Sequence, residues 1–108
     1  MYMISRKVEM IEFLRLLADR TRLEILENLN DGEKTSSELE EALNKAQSTI
    51  SHQLKKLLEK DLIITTQVKE EESGKIINYY KIKNYSIFEL LKNIEAFIKN
   101  KDLFDILL

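Results

Sequence analysis

The stretch Gln47-Ser48-Thr49-Ile50-Ser51-His52-Gln53-Leu54-Lys55-Lys56-Leu57-Leu58 constrains the fold more than any other part of this chain. Ile50, Leu54, Leu57 and Leu58 recur at i, i+4, i+7 and i+8, which is one stripe of an α-helix turned toward a core. At roughly 100° per residue, Ser48, His52, Lys55 and Lys56 fall on the opposite face, with Thr49 beside them. Such a helix needs a core beneath it, and it presents short polar side chains near its start and lysines further on. Two readings fit. The polar face meets only water, or it enters the major groove of DNA, where short donors and acceptors reach base edges and cations reach phosphates.

The residues just before it decide what that helix leans on. Thr35-Ser36-Ser37-Glu38 has the spacing of a capping box, in which Thr35 accepts from the N–H of Glu38 and Glu38 reaches back to the N–H of Thr35. A short helix follows, with Leu39, Ala42 and Leu43 on its apolar side, and Asn44-Lys45-Ala46 makes a tight turn. Two short helices joined by about three residues are the helix-turn-helix arrangement. The first braces the second across the DNA backbone.

After Lys60-Asp61 the period changes. Leu62 to Lys69 is β-branched and partly alternating, which predicts a strand. Glu70-Glu71-Glu72-Ser73-Gly74 is a polar loop, and Lys75 to Lys83 carries Ile76, Ile77, Tyr79, Tyr80 and Ile82 as a second strand. The pair forms a β-hairpin beside the helix-turn-helix, in other words a wing.

The two ends carry more apolar surface than one small core absorbs. From about Ser5 to Leu17, Ile4, Val8, Ile11 and Leu14 form one helical stripe that Phe13, Leu16 and Leu17 widen. A second helix, with Leu23, Ile25, Leu26 and Leu29, is capped by Asp19 or Thr21 and stops at Asn28-Leu29-Asn30-Asp31-Gly32, where Gly32 is free to turn left-handed. The last helix begins near Ser86, and Ile87, Leu90, Leu91, Ile94, Phe97 and Ile98 repeat at 3- and 4-residue steps before the tail Leu103-Phe104-Asp105-Ile106-Leu107-Leu108. At 108 residues one protomer cannot easily bury both stripes. They predict a homodimer through Ile4, Val8, Ile11, Leu90, Ile94, Phe97 and Ile98.

Composition bounds the rest. With 44% apolar and 33% charged residues the chain is neither disordered nor a membrane span. It is expected to be a single domain over residues 1–108, mainly α with a β-hairpin wing. In Met1-Tyr2-Met3-Ile4-Ser5-Arg6-Lys7 the basic residues follow the apolar ones, unlike a signal peptide, so a cytoplasmic location with no membrane partner is expected. Zero cysteines exclude disulfides, thiolate metal sites and thiol switches. His52 is the only histidine, with neither metal-ligand partners at spacing nor a nucleophile and pocket for catalysis. No enzyme, cofactor or metal is therefore expected. The net charge of −2 hides an uneven distribution: residues 44–69 hold five basic and two acidic side chains, whereas residues 21–43 hold two and seven. A basic patch on an acidic body suits a protein that meets DNA with one face.

The order of elements resembles the winged helix-turn-helix regulators of the ArsR/SmtB type. Leu17-Ala18-Asp19-Arg20-Thr21-Arg22-Leu23-Glu24-Ile25-Leu26 is similar to that family's Leu-Ala-Asp-x-Thr-Arg-x-x-Ile-Leu signature. Gln47 to Leu54 with Leu57 resembles its reading helix, and Leu62-Ile63, Gly74 and Tyr80 its strand and wing. The resemblance covers nearly the whole chain. It implies a homodimer joined through first and last helices, and DNA contact by Gln47, Ser48, Ser51 and His52. Thr49, the flanking Lys45, Lys55 and Lys56, and the wing residues Lys69 and Lys75 complete the expected contact set. This chain departs from the family at three places. Thr35 and Ser37 stand where metal-sensing members carry cysteines, the last helix has no histidine, and Glu70-Glu71-Glu72 puts acid where many wings are basic. The expected function is a dimeric, sequence-specific transcriptional regulator, a repressor, reading a palindromic operator with helix 47–60. The competing reading is a winged-helix protein-interaction module that uses the acidic wing.

Overall fold

The computed structural model describes residues 6–107, with side chains to Asn100. Its elements follow one another as α1 (Lys7–Leu17), α2 (Arg20–Leu29), α3 (Ser36–Leu43), α4 (Gln47–Glu59), β1 (Ile63–Lys69), β2 (Ile76–Ile82) and α5 (Ser86–Leu107). Each boundary has a local cause. Asp19, not Thr21, caps α2, its carboxylate accepting from the N–H of Arg22 at 2.9 Å. Both halves of the α3 capping box form, at 3.1 Å from the Glu38 N–H to Thr35 Oγ1 and 2.9 Å from the Thr35 N–H to Glu38 Oε1. Asn44 closes α3 with φ +52, a left-handed position that its short polar side chain tolerates. This turns the chain sharply into α4. Asn84 Oδ1 accepts from the N–H of Ser86 at the start of α5.

The core sits under α4. Ile25, Leu26 and Leu29 of α2, Leu39 of α3, and Ile50, Leu54 and Leu57 of α4 are buried together with Leu16, Leu17, Leu62, Ile63, Ile82 and Ile87. Each such side chain contributes about 1.5–3 kcal/mol by leaving water. The hairpin is antiparallel, with a register running from Ile63 opposite Ile82 to Lys69 opposite Ile76. Its root lies in the core and its far end projects into solvent. One tie between the wing and the helices has no counterpart in the sequence periodicity. Lys34, between α2 and α3, exchanges two backbone hydrogen bonds with Tyr80 (3.0 and 2.8 Å), a one-residue bridge that ties the wing to the start of the helix-turn-helix. A single bridging residue leaves no alternation to detect.

The end helices are different. Leu16 and Leu17 of α1 and Ile87 of α5 enter the core, but Val8, Met10, Ile11, Leu14, Leu90, Ile94, Phe97 and Ile98 are exposed, Val8 at 68% and Phe97 at 72%. Ile4 lies outside the described residues. The Cα radius of gyration is 17.2 Å, against about 13 Å for a compact domain near 100 residues. A long helix that projects from the body accounts for the excess. Among the described residues no helix is long and apolar enough to cross a membrane.

Candidate nucleic-acid interface

Helix α4 turns its apolar stripe inward as the spacing requires, and this fixes what faces out. Ile50, Leu54 and Leu57 are buried and Leu58 half-buried. Gln47, Ser48, Ser51, His52 and Lys55 are exposed, and so is Lys45 in the preceding turn. Gln47, which the helical angle puts nearer the buried side, is exposed because it stands in the first turn, ahead of the packed part of the helix. Thr49 and Lys56 correct the simple two-face picture. Both are half-buried at the edges of the outward face, not on its crest.

No side chain caps α4, because the N-cap is Ala46. The first intrahelical bond runs from the Ile50 N–H to the Ala46 carbonyl at 3.1 Å. The N–H groups of the first turn therefore lack intrahelical partners, and the positive end of the helix dipole lies beside Lys45. Ser48, Thr49 and Ser51 do not cap the helix, which leaves Ser48 and Ser51 exposed.

On the wing, Lys69 and Lys75 are exposed and flank the tip. The tip is closed by its own hydrogen bonds, from the Glu70 N–H to the Lys75 carbonyl at 2.8 Å and from the Gly74 N–H to the Glu70 carbonyl at 2.9 Å. Gly74 has φ +71, the left-handed value that the turn asks of it. Ser73 Oγ donates to the Glu70 carboxylate at 3.1 Å. Three glutamates remain exposed at this tip, and they oppose a phosphate backbone. Thr35 and Ser37 lie at the start of α3, where Thr35 serves the capping box. Among the described residues no group of three or more His, Asp or Glu stands where a metal could be held.

Arg22 is the functional candidate that sequence reasoning passed over except as part of a signature. It is 8% exposed and bonds to Leu16, Arg15 and Gln53. A lone arginine on an otherwise apolar α2 face was the available signal.

Three helices around a shared core, a minimal hairpin tied back to them and one helix with an uncapped, polar, outward face define a winged helix-turn-helix. Residues 19–65 match the bacterial regulatory proteins of the arsR family. The chain is 29% identical over 86 residues to an arsenical resistance operon repressor of Staphylococcus aureus, covering 80% of this chain and 77% of that one. It is 39% identical over 57 residues to another from Staphylococcus xylosus, covering 53% and 55%. In structure it is similar, with a TM-score of 0.64 and 22% identity over 91% of this chain and 88% of the other, to the homodimeric winged helix-turn-helix DNA-binding domain of a possible ArsR-family regulator from Mycobacterium bovis. Residues 19–65 thus resemble regulators of the arsR type, and the fold is a winged helix-turn-helix. The proteins of that family are regulatory.

Proposed function

We propose that the protein is a homodimeric, sequence-specific DNA-binding repressor that reads a palindromic operator with α4. The observation that carries this is the division of α4, with Ile50, Leu54 and Leu57 buried and Ser48, Ser51, His52 and Lys55 exposed beside an uncapped N-terminus. Ser48 and His52 contact base edges, helped by Gln47, Ser51 and Thr49. Lys45, Lys55 and Lys56 contact phosphates, with Lys69 and Lys75 reaching the backbone from the wing. The uncapped first turn of α4 offers its N–H groups to a phosphate. The chain acts as one domain whose end helices join two copies through Val8, Ile11, Leu90, Ile94, Phe97 and Ile98. The likeness to a homodimeric domain and the exposed apolar stripes support this assembly.

The Staphylococcus relatives are named for arsenical resistance. Arsenite and soft metals are held by thiolates, and this chain has no cysteine. A thiolate-held arsenite or soft metal is therefore not its signal, and we expect no transition-metal regulation, which stoichiometric zinc binding that abolishes DNA affinity would contradict. A two-fold dimer sets its two α4 helices in successive major grooves, about 34 Å apart. Selection from a pool of random duplexes should therefore enrich an imperfect palindrome with half-sites about one turn apart. Recovery of no preferred sequence would overturn the reading and favour an interaction module built on the acidic wing.

A further inference from the structure

Arg22 is the only buried charged side chain among the described residues, and its partners lie on two other helices. Its Nε donates to the carbonyl of Leu16, and one Nη donates to the carbonyl of Arg15 at 3.1 Å. These carbonyls belong to the last turn of α1, where the helix itself supplies no donors and the dipole is negative. The other Nη donates to Gln53 Oε1 at 2.6 Å. The nearest carboxylate oxygen recorded for it, Asp19 Oδ2, is 3.9 Å away, so the amide of Gln53 and the two carbonyls hold the guanidinium in place.

Gln53 stands on α4 directly after His52 and is half-buried, on the side turned toward α2. One planar cation thus joins the end of α1 to the helix with the exposed polar face, passing across the first turn of α2. A guanidinium fixes its donors in a plane, unlike an ammonium that satisfies any nearby acceptor. With two donors anchored on α1, the third specifies where Gln53 must be. Rotation of α4 about its axis breaks that bond and leaves the buried Nη with only the distant Asp19 carboxylate, 3.9 Å away, which the fold resists.

We infer that Arg22 is a positioning residue for sequence recognition: through Gln53 it fixes the rotation of α4, and with it the angle at which Ser48 and His52 meet base edges. This rests on the reading of α4 as the recognition helix and adds to it two residues that need not touch DNA. It also makes α1, which carries one of the two unmatched apolar faces, a rigid neighbour of that helix.

The test uses the full-length protein and compares affinity for the selected duplex with affinity for a random duplex at one salt concentration. Gln53→Leu should leave random-duplex affinity unchanged, because the lysines remain, and lower the preference for the selected duplex about 10-fold or more. Gln53→Glu keeps an acceptor and should keep the preference. Arg22→Lys keeps the charge but not the fork, and should lose the preference as Gln53→Leu does. The double variant should lose no more than Gln53→Leu alone, since both cut the same link. Melting temperatures of all four report a merely structural role separately. The inference is overturned if Gln53→Leu retains the preference, or weakens both duplexes equally. It is also overturned if Gln53→Glu loses preference while Arg22→Lys keeps it, which would put Gln53 itself on the bases. A wild-type protein without preference for any duplex would instead overturn the underlying DNA-reading assignment.

Discussion

The middle of this chain and its two ends solve the burial problem differently. Between Asp19 and Ile82 the apolar side chains of α2, α3, α4 and the hairpin root meet one another, and the helix starts at Asp19 and Thr35 are closed by their own side chains. In α1 and α5 Leu16, Leu17 and Ile87 enter the core and Phe13, Phe88 and Leu91 pack against its edge, while Val8, Ile11, Leu14, Leu90, Ile94, Phe97 and Ile98 stay exposed, Phe97 at 72%. The middle is complete in one copy of the chain. The ends leave exposed apolar faces unmatched. This contrast also separates the two tasks, since the face proposed to meet DNA belongs to the complete part and the face proposed to meet a second protomer belongs to the incomplete one.

The harshest way to break the contrast is to charge the ends. Ile94→Asp together with Phe97→Asp changes two side chains that are already exposed in one protomer. The double variant should therefore keep its helical signal and lose its dimer. Sedimentation at micromolar concentration is expected to show a dimer for the wild type and a monomer for the variant. A monomeric wild type, or a variant that still dimerises, would remove the ends from the interface.

A cavity in the middle should cost about 2–5 kcal/mol. Leu26→Ala, at a fully buried position, should lower the melting temperature by the same amount at every protein concentration. Truncating Phe97 to Ala should act through the dimer, so that its penalty shrinks as concentration rises. Equal concentration dependence for both substitutions would mean that the middle and the ends form one cooperative unit without the division drawn above.

Smaller effects belong to the outward face of α4. His52→Ala or Ser48→Ala should cost about 1–3 kcal/mol on the selected duplex and little on random DNA. Lys55→Ala should weaken both alike and flatten the salt dependence by about one unit of slope per protomer. The dimer should be unaffected, as measured by sedimentation. A loss of sequence preference from Lys55→Ala but not from His52→Ala would reverse the roles given to these residues.

What could be read from the sequence follows the same division. The core of the middle was legible because helical and strand periods are local: Ile50, Leu54 and Leu57 announce a buried stripe, and Thr35 with Glu38 announces a capping box. The apolar surplus of the ends was legible for the same reason, although the periodicity did not tell which of Phe13, Leu14, Leu16 and Leu17 face inward. That depends on how α1 crosses α2, a tertiary fact. Three features escaped. The bridge from Lys34 to Tyr80 pairs residues far apart in the chain, and the half-burial of Thr49 and Lys56 depends on neighbours beside α4. The link from Arg22 to Gln53 spans 31 positions and has no period.

The smallest effect tests whether the middle closes itself with its own side chains. The backbone N–H of Thr35, and then its side chain, hold the Glu38 carboxyl below the usual carboxylate range. A carboxyl whose folded pKa is lowered contributes stability that is fully present above its unfolded value, near pH 4.3, and is lost as pH falls through the folded value. Glu38→Gln keeps the reciprocal geometry, because glutamine serves equally in a capping box, but it cannot titrate. The two proteins should therefore melt at nearly the same temperature at neutral pH. On acidification below about pH 4.3, the wild type should lose this contribution while the variant does not, so the small difference between them narrows or changes sign. Thermal melts of the pair across that range measure the change directly. If the difference between the two proteins stays constant with pH, the Glu38 charge adds nothing to the cap. The start of α3 would then be held by the Thr35 hydroxyl, which makes its hydrogen bond in either protein.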